Sequence, residues 1–237
     1  MSDILFPKRL VMMSESQNDS DCLKWHIEKH LTEIEGHGHL FVDPKPILTC
    51  SLGKLIGPLS ITRGKQPLEF WLRQIQNAAR RSNVGAILLL TDGDDGPAKI
   101  EQENYLKHNA NSPDFCVKSV AHWMIDEARK LIQHMRISVG IAVALNEYET
   151  WLVAARGSDE EHLTGILEQR RDGKTPLNDL IEEKYLPSTH QLALTRDPQC
   201  DWERAKTCCR SFRHFHSMVG RTVDSVMNNT ATFIPEI

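Results

Sequence analysis

Three pairs of carboxylates spaced two residues apart stand out in this sequence: Glu33 with Glu35, Asp92 with Asp94, and Glu147 with Glu149. Side chains at i and i+2 point to one side while the backbone is extended. Two pairs directly follow apolar runs, Val84 to Leu90 and Ile137 to Leu145, of the kind that forms central parallel strands buried on both faces. The third ends His30-Leu-Thr-Glu-Ile-Glu35, whose alternation suits a strand, although Leu23, Ile27, Leu31 and Ile34 also recur at helical spacing. In an open parallel sheet the binding crevice lies beyond the carboxyl ends of the strands, so three such pairs would converge there. Converging carboxylates repel one another, and hard oxygen ligands are what Mg²⁺ or Mn²⁺ require. Any one pair is more simply a solvated loop or helix N-terminus favoured by the helix dipole. Three in register, with glycine on either side of Asp94-Asp95, favour the metal.

Other residues offer weaker chemistry. His26, His30, His37 and His39 crowd one stretch, but no HExxH pattern is present, so they are expected to be surface or hydrogen-bonding histidines. The six cysteines are scattered with no CxxC, which argues against structural zinc and for the thiols of a reducing compartment. Lys174, in Gly173-Lys-Thr-Pro, could neutralise charge near a phosphate or serve as an ordinary loop lysine. Between Asp201 and Asp224 a single helical wheel puts Ala205, Phe212, Phe215, Val219 and Val223 on one face. It puts Lys206, Arg210, Arg213, His214 and Arg221 on the other, a candidate nucleic-acid surface that a merely solvated face would also produce. Arg80-Arg81 and Glu168 to Asp172 carry the same signal more faintly.

The elements needed to position these groups are partly legible. A helix is expected from Cys22, capped within Asn18 to Asp21, and another from Pro67 to Ser82, where Leu68, Trp71, Leu72, Ile75 and Ala79 share a side. A third spans about Asp114 to Met135, a short strand is expected at Leu59 to Arg63, and Asn83 should stop the second helix. Strand, helix, strand, helix, strand implies parallel pairing with helices on both faces. From about Trp151 onward the sequence suggests helices and loops without a clear strand.

Taken together, Glu35-Gly-His-Gly38 with Pro44, Asp92-Gly-Asp-Asp95, Asn146-Glu-Tyr-Glu-Thr-Trp151, Arg63-Gly-Lys65, Tyr185, Gln191-Leu-Ala-Leu-Thr195 and Ser211-Phe212 resemble a bacterial Toprim-like family of uncharacterised proteins, over about Lys29 to Val219. Toprim is the metal-binding module of topoisomerases, primases and OLD-type nucleases. The resemblance implies a glutamate on the first strand, acting in proton transfer or as a ligand, and aspartates that hold Mg²⁺ for phosphodiester chemistry. Carried over, these are Glu35, Asp92 and Asp94, and His30 to Glu35 then becomes the first strand; in a two-metal nuclease Glu149 would assist the second metal. An acid usually follows GHG in that family, where this sequence has His39, whose neutral imidazole can also bind metal. Arg9-Leu-Val-Met-Met-Ser-Glu15 mimics such a strand, but the Pro44 and Arg63-Gly-Lys65 landmarks fit Glu35.

The expected fold is therefore α/β: a Toprim-like small parallel sheet flanked by helices, with a mainly helical C-terminal lobe. Residues 1–23 are expected to be an N-terminal extension, 24–155 the metal-binding core and 156–237 the lobe. The 237 residues, net charge −4 and lack of a long apolar stretch suit a cytoplasmic protein whose nucleic-acid contacts would be local. The implied function is a Mg²⁺- or Mn²⁺-dependent nuclease acting on DNA or RNA, an effector of bacterial anti-phage defence. The resemblance also implies work beside an ATPase, and because this chain has no GxxxxGK[ST] loop of its own the expected partner is a separate ATPase subunit, with room for a homo-oligomer. The alternative is a non-catalytic Toprim-fold subunit that only binds partners.

Overall fold

The apolar run Leu10-Val-Met-Met13 lies at the heart of the sheet as strand β1 (Lys8–Ser14), although the sequence suggested an N-terminal extension over residues 1–23. All four side chains are 0–1% exposed, and they alternate between the two faces: Leu10 and Met12 to one, Val11 and Met13 to the other. A strand sealed on both sides needs no polar alternation, which is why an uninterrupted apolar run suffices. The computed structural model describes residues 7–49, 66–92, 115–144, 148–157 and 174–236.

Ser16 ends the strand and caps α1 (Gln17–Thr32), its hydroxyl accepting from the Asp19 amide. The helix therefore begins five residues before Cys22 and runs through His30 to Thr32, with Glu33 as its C-cap. This corrects the expectation of a strand over His30 to Glu35: the helical repeat of Leu23, Ile27 and Leu31 prevails because it buries all three against the sheet. Glu35 lies past the helix, exposed and followed by Gly36 at φ +80°. Short strands β2 (Leu40–Val42) and β3 (Ile47–Leu48) then pair in parallel with the two ends of β1.

Helix α2 (Gln66–Ala79) and strand β4 (Val84–Asp92) follow as expected, with Asn83 in the left-handed region at φ +56° between them. Helix α3 (Phe115–Ile132) leads to β5 (Ser138–Ala144). The expected strand at Leu59 to Arg63 lies outside the described residues. Beyond β5 come α4 (Glu149–Arg156), α5 (Lys174–Ile181), α6 (Leu192–Thr195), α7 (Trp202–Cys208), α8 (Arg210–Met227) and strand β6 (Phe233–Glu236). The sheet order is β2-β1-β4-β5-β6, every pairing parallel, with β3 also on β1.

Two apolar layers cover this sheet. Helices α2 and α3 close one face with Trp71, Ile75, Met124, Ile125 and Ala128. Helix α1 and the helices after β5 close the other with Leu23, Ile27, Trp151, Phe212 and Phe215. Burial of each of these Leu, Ile, Met and Phe side chains stabilises by roughly 1.5–3 kcal/mol. The boundary expected at 155/156 coincides with no break in the core, since α7, α8 and β6 share one cluster with α1 and β4. Gly140 allows α8 close to β5, where a Cβ would collide with Met218, and a Cβ at Gly85 would come within 2.6 Å of Val226. Among the described residues no helix is long and apolar enough to cross a membrane.

Candidate functional site

Strands β1 and β4 lie side by side in parallel, so their carboxyl ends deliver Glu15 and Asp92 to the same edge. The Glu15 Oε1 accepts from the Asp92 backbone N–H at 3.1 Å and from the Thr91 hydroxyl. The acid beside Asp92 is thus Glu15, and Glu35 stands at the far end of α1. This is a correction of position: a carboxylate at the end of the first strand is present, but the first strand is β1.

Asp92 is held from its other side as well. Its Oδ1 accepts from the Tyr148 backbone N–H at 3.0 Å, at the entry to α4. Tyr148 is fixed by a buried polar network: its hydroxyl lies 3.0 Å from His26 Nε2 and 3.0 Å from Thr195 Oγ1. Burial among Trp202, Phe212 and Phe215 pushes the His26 imidazole down to about 3, which keeps it neutral. Burial likewise pushes the Cys22 thiol up to about 12 and the Tyr148 phenol upward.

Several residues that carried the sequence resemblance belong to this network. Gln191 Nε2 donates to Asp19 Oδ1 at 2.8 Å, and Thr195, one turn on, donates to the Gln191 carbonyl at 2.7 Å. Trp151 Nε1 donates to Ser211 Oγ at 2.8 Å. These side chains fix α1, α4 and α8 to each other above the edge where Glu15 and Asp92 meet. Asp19 lies in the first turn of α1, four residues beyond Glu15, with its carboxylate bonded to Ser16 and Gln191, a role that sequence reasoning overlooked. The available signal was Ser16-Gln-Asn-Asp19, an S-x-x-D capping pattern directly after an apolar run.

Glu149 opens α4 and is 5% exposed; together with burial, its charge pushes the Tyr185 phenol upward. Lys174 is the exposed first residue of α5. Asp94 and Glu147 lie outside the described residues. Among the described residues no three carboxylates at this edge come within reach of a single ion; the one such group of potential ligands is His30, Glu33 and His216, elsewhere on α1 and α8.

The basic face is rearranged. Cys209 is extended (φ −101°, ψ 113°) and separates α7 from α8, so Lys206 does not continue one helical face with Arg210 and Arg213. Lys206 Nζ pairs with Glu203 at 2.6 Å, while Arg210 and Arg213 are exposed. The apolar face is as expected, with Ala205, Phe212, Phe215, Val219 and Val223 buried. Arg81 is a structural residue: its Nη1 lies 2.8 Å from Asp43 Oδ2, a carboxylate that also meets Arg9 at 3.2 Å. No protein-family model matches the chain, and no curated protein matches it.

Proposed function

We propose that this chain is a Toprim-like, Mg²⁺- or Mn²⁺-dependent nuclease in which Glu15 takes the place first given to Glu35. The observation that supports it most is the junction of Glu15 with Thr91 and Asp92 at the ends of adjacent parallel strands. Glu15, Asp19 and Asp92 offer oxygen donors alone, which suits a hard divalent cation. Glu15 and Asp92 would hold the ion together with Asp94, and the ion would supply charge neutralisation at a phosphodiester. Of the chain's own groups, Glu15 is the proton acceptor beside it, Tyr148 N–H orients Asp92, and Arg210 and Arg213 contact phosphates. The cellular setting in this reading is cytoplasmic anti-phage defence alongside a separate ATPase.

A second reading, a non-catalytic partner-binding subunit, is favoured by one feature. The Glu15 Oε1 and Asp92 Oδ1 atoms are each engaged in hydrogen bonds that hold the fold together. Plasmid nicking with Mg²⁺ or Mn²⁺, by the chain alone and with the product of any adjacent ATPase gene, separates the two. Metal-dependent nicking that disappears in Asp92→Ala supports the nuclease; no cutting under either condition leaves the binding subunit.

A further inference from the structure

Helix α1 ends in His30 and Glu33, three residues apart and therefore neighbours on its surface. His216, from the middle of α8, meets them there, its ring centroid 4.9 Å from that of His30 at a near-perpendicular 83°. One ligand atom from each of the three lies within 4.8 Å of the others. We propose that His30, Glu33 and His216 form a site for one zinc-class transition-metal ion that staples the end of α1 to α8.

Three observations carry this. Both ring nitrogens of His30 are buried without a hydrogen-bond partner among the described residues, an arrangement that costs free energy unless something fills it. The three residues line a small cavity of ≈ 30 Å³, room for one ion with a water and for no substrate. The donor set, two imidazoles and one carboxylate, suits zinc with water as fourth ligand. At bonds of roughly 2.0–2.1 Å, ligand atoms around a tetrahedral zinc stand roughly 3.4 Å apart, so the three donors, within 4.8 Å of one another, would draw together on binding.

The cations nearby are directed elsewhere: Lys206 toward Glu203 at 2.6 Å, and Lys29 over the Trp25 ring at 5.2 Å. Gly220, one turn beyond His216, presents no side chain to the His30 ring. The small cavity, walled by Trp202 and Phe212, makes the role a cross-link rather than hydrolysis. The site stands apart from the strand-end carboxylates and does not depend on the function proposed for them.

The test is calorimetric titration of chelator-treated full chain with Zn²⁺, in excess Mg²⁺ so that hard-oxygen sites are filled. One Zn²⁺ per chain is expected, with a rise in melting temperature that grows with Zn²⁺ concentration. Substituted Co²⁺ should show visible absorption typical of a nitrogen-containing four-coordinate site. Loss of groups merely adjacent to a ligand weakens metal binding about 10–100-fold, so His216→Gln and Glu33→Gln should each weaken it at least about 10-fold. Glu33 is exposed, so its substitution leaves the packing intact. Absence of Zn²⁺ binding to the wild type, or wild-type affinity in either variant, would overturn the site.

Discussion

The two ends of α1 present opposite chemistry. At its start, against the carboxyl edge of the sheet, stand Glu15, Asp19 and Asp92, all oxygen donors, each tied into the fold by a hydrogen bond. At its finish stand His30 and Glu33, met by His216, with both His30 nitrogens lacking partners among the described residues. At the first end the carboxylates are engaged in hydrogen bonds, and among the described residues no three of them come within reach of a single ion. The second end is unsatisfied, and a borderline metal would complete it. Acidity of a cluster is therefore a poorer guide to a metal site than the account of which donors still lack a partner.

The largest expected effect probes the strand end. Glu15→Gln keeps the size and one oxygen of the side chain but cannot accept a proton at neutral pH. In the nicking assay it should lose about 100- to 10,000-fold in rate, as removal of a general base typically does. Glu35→Gln, at the exposed opposite end, should cut at the wild-type rate.

His26 sits between the two ends, bonded to Tyr148 on one side and lining the cavity of His30 on the other. Its imidazole is neutral in both folded and unfolded chains above its ordinary value of 6.5. Below that, the unfolded chain binds a proton that the folded chain refuses until about 3, so stability falls as pH drops through this window. The slope should be about 1.4 kcal/mol per pH unit for this one group. Urea unfolding at stepped pH measures it, and His26→Phe should flatten the curve if it folds.

Ser211→Ala leaves the Trp151 indole N–H without its partner in the packed layer over the strand end. Chemical denaturation should show a loss of about 1–3 kcal/mol, with unchanged Zn²⁺ affinity at the imidazole end. The smallest effect concerns the surface. Reversing charge at Arg210 and Arg213 should leave stability within about 0.5 kcal/mol. It should reduce the slope of log K against log salt for nucleic acid by roughly 0.7 to 0.9 per lost contact, whereas Lys206, held by Glu203, should contribute less.

Much of the scaffold was legible because its signals were long and local. Val84 to Leu90 and Ile137 to Leu145 are apolar runs of strand length, as a doubly covered strand requires, and Trp71, Ile75 and Ala79 mark a helix by spacing alone. Strand β1 has the same grammar as β4, an apolar run ending in an acid, but the family landmarks Pro44 and Arg63-Gly-Lys65 drew the first strand to His30 to Glu35, which holds the end of α1 and the residues after it. Strand β6 was hidden by brevity and by Pro235, which a strand tolerates only at a sheet edge. The break at Cys209 carries neither glycine nor proline, so nothing local disclosed it. The pairing of His30 with His216 is wholly tertiary, with no spacing rule to reveal it.

The most direct measurement of the central claim is a calorimetric Mn²⁺ titration of the wild type beside Glu15→Gln and Glu35→Gln. Glu15 adjoins Asp92 through the Asp92 amide, so losing its charge should weaken Mn²⁺ binding at least about 10-fold. Glu35→Gln should bind as the wild type does. Wild-type affinity in Glu15→Gln together with weakened binding in Glu35→Gln would contradict the assignment and return the first-strand glutamate to Glu35.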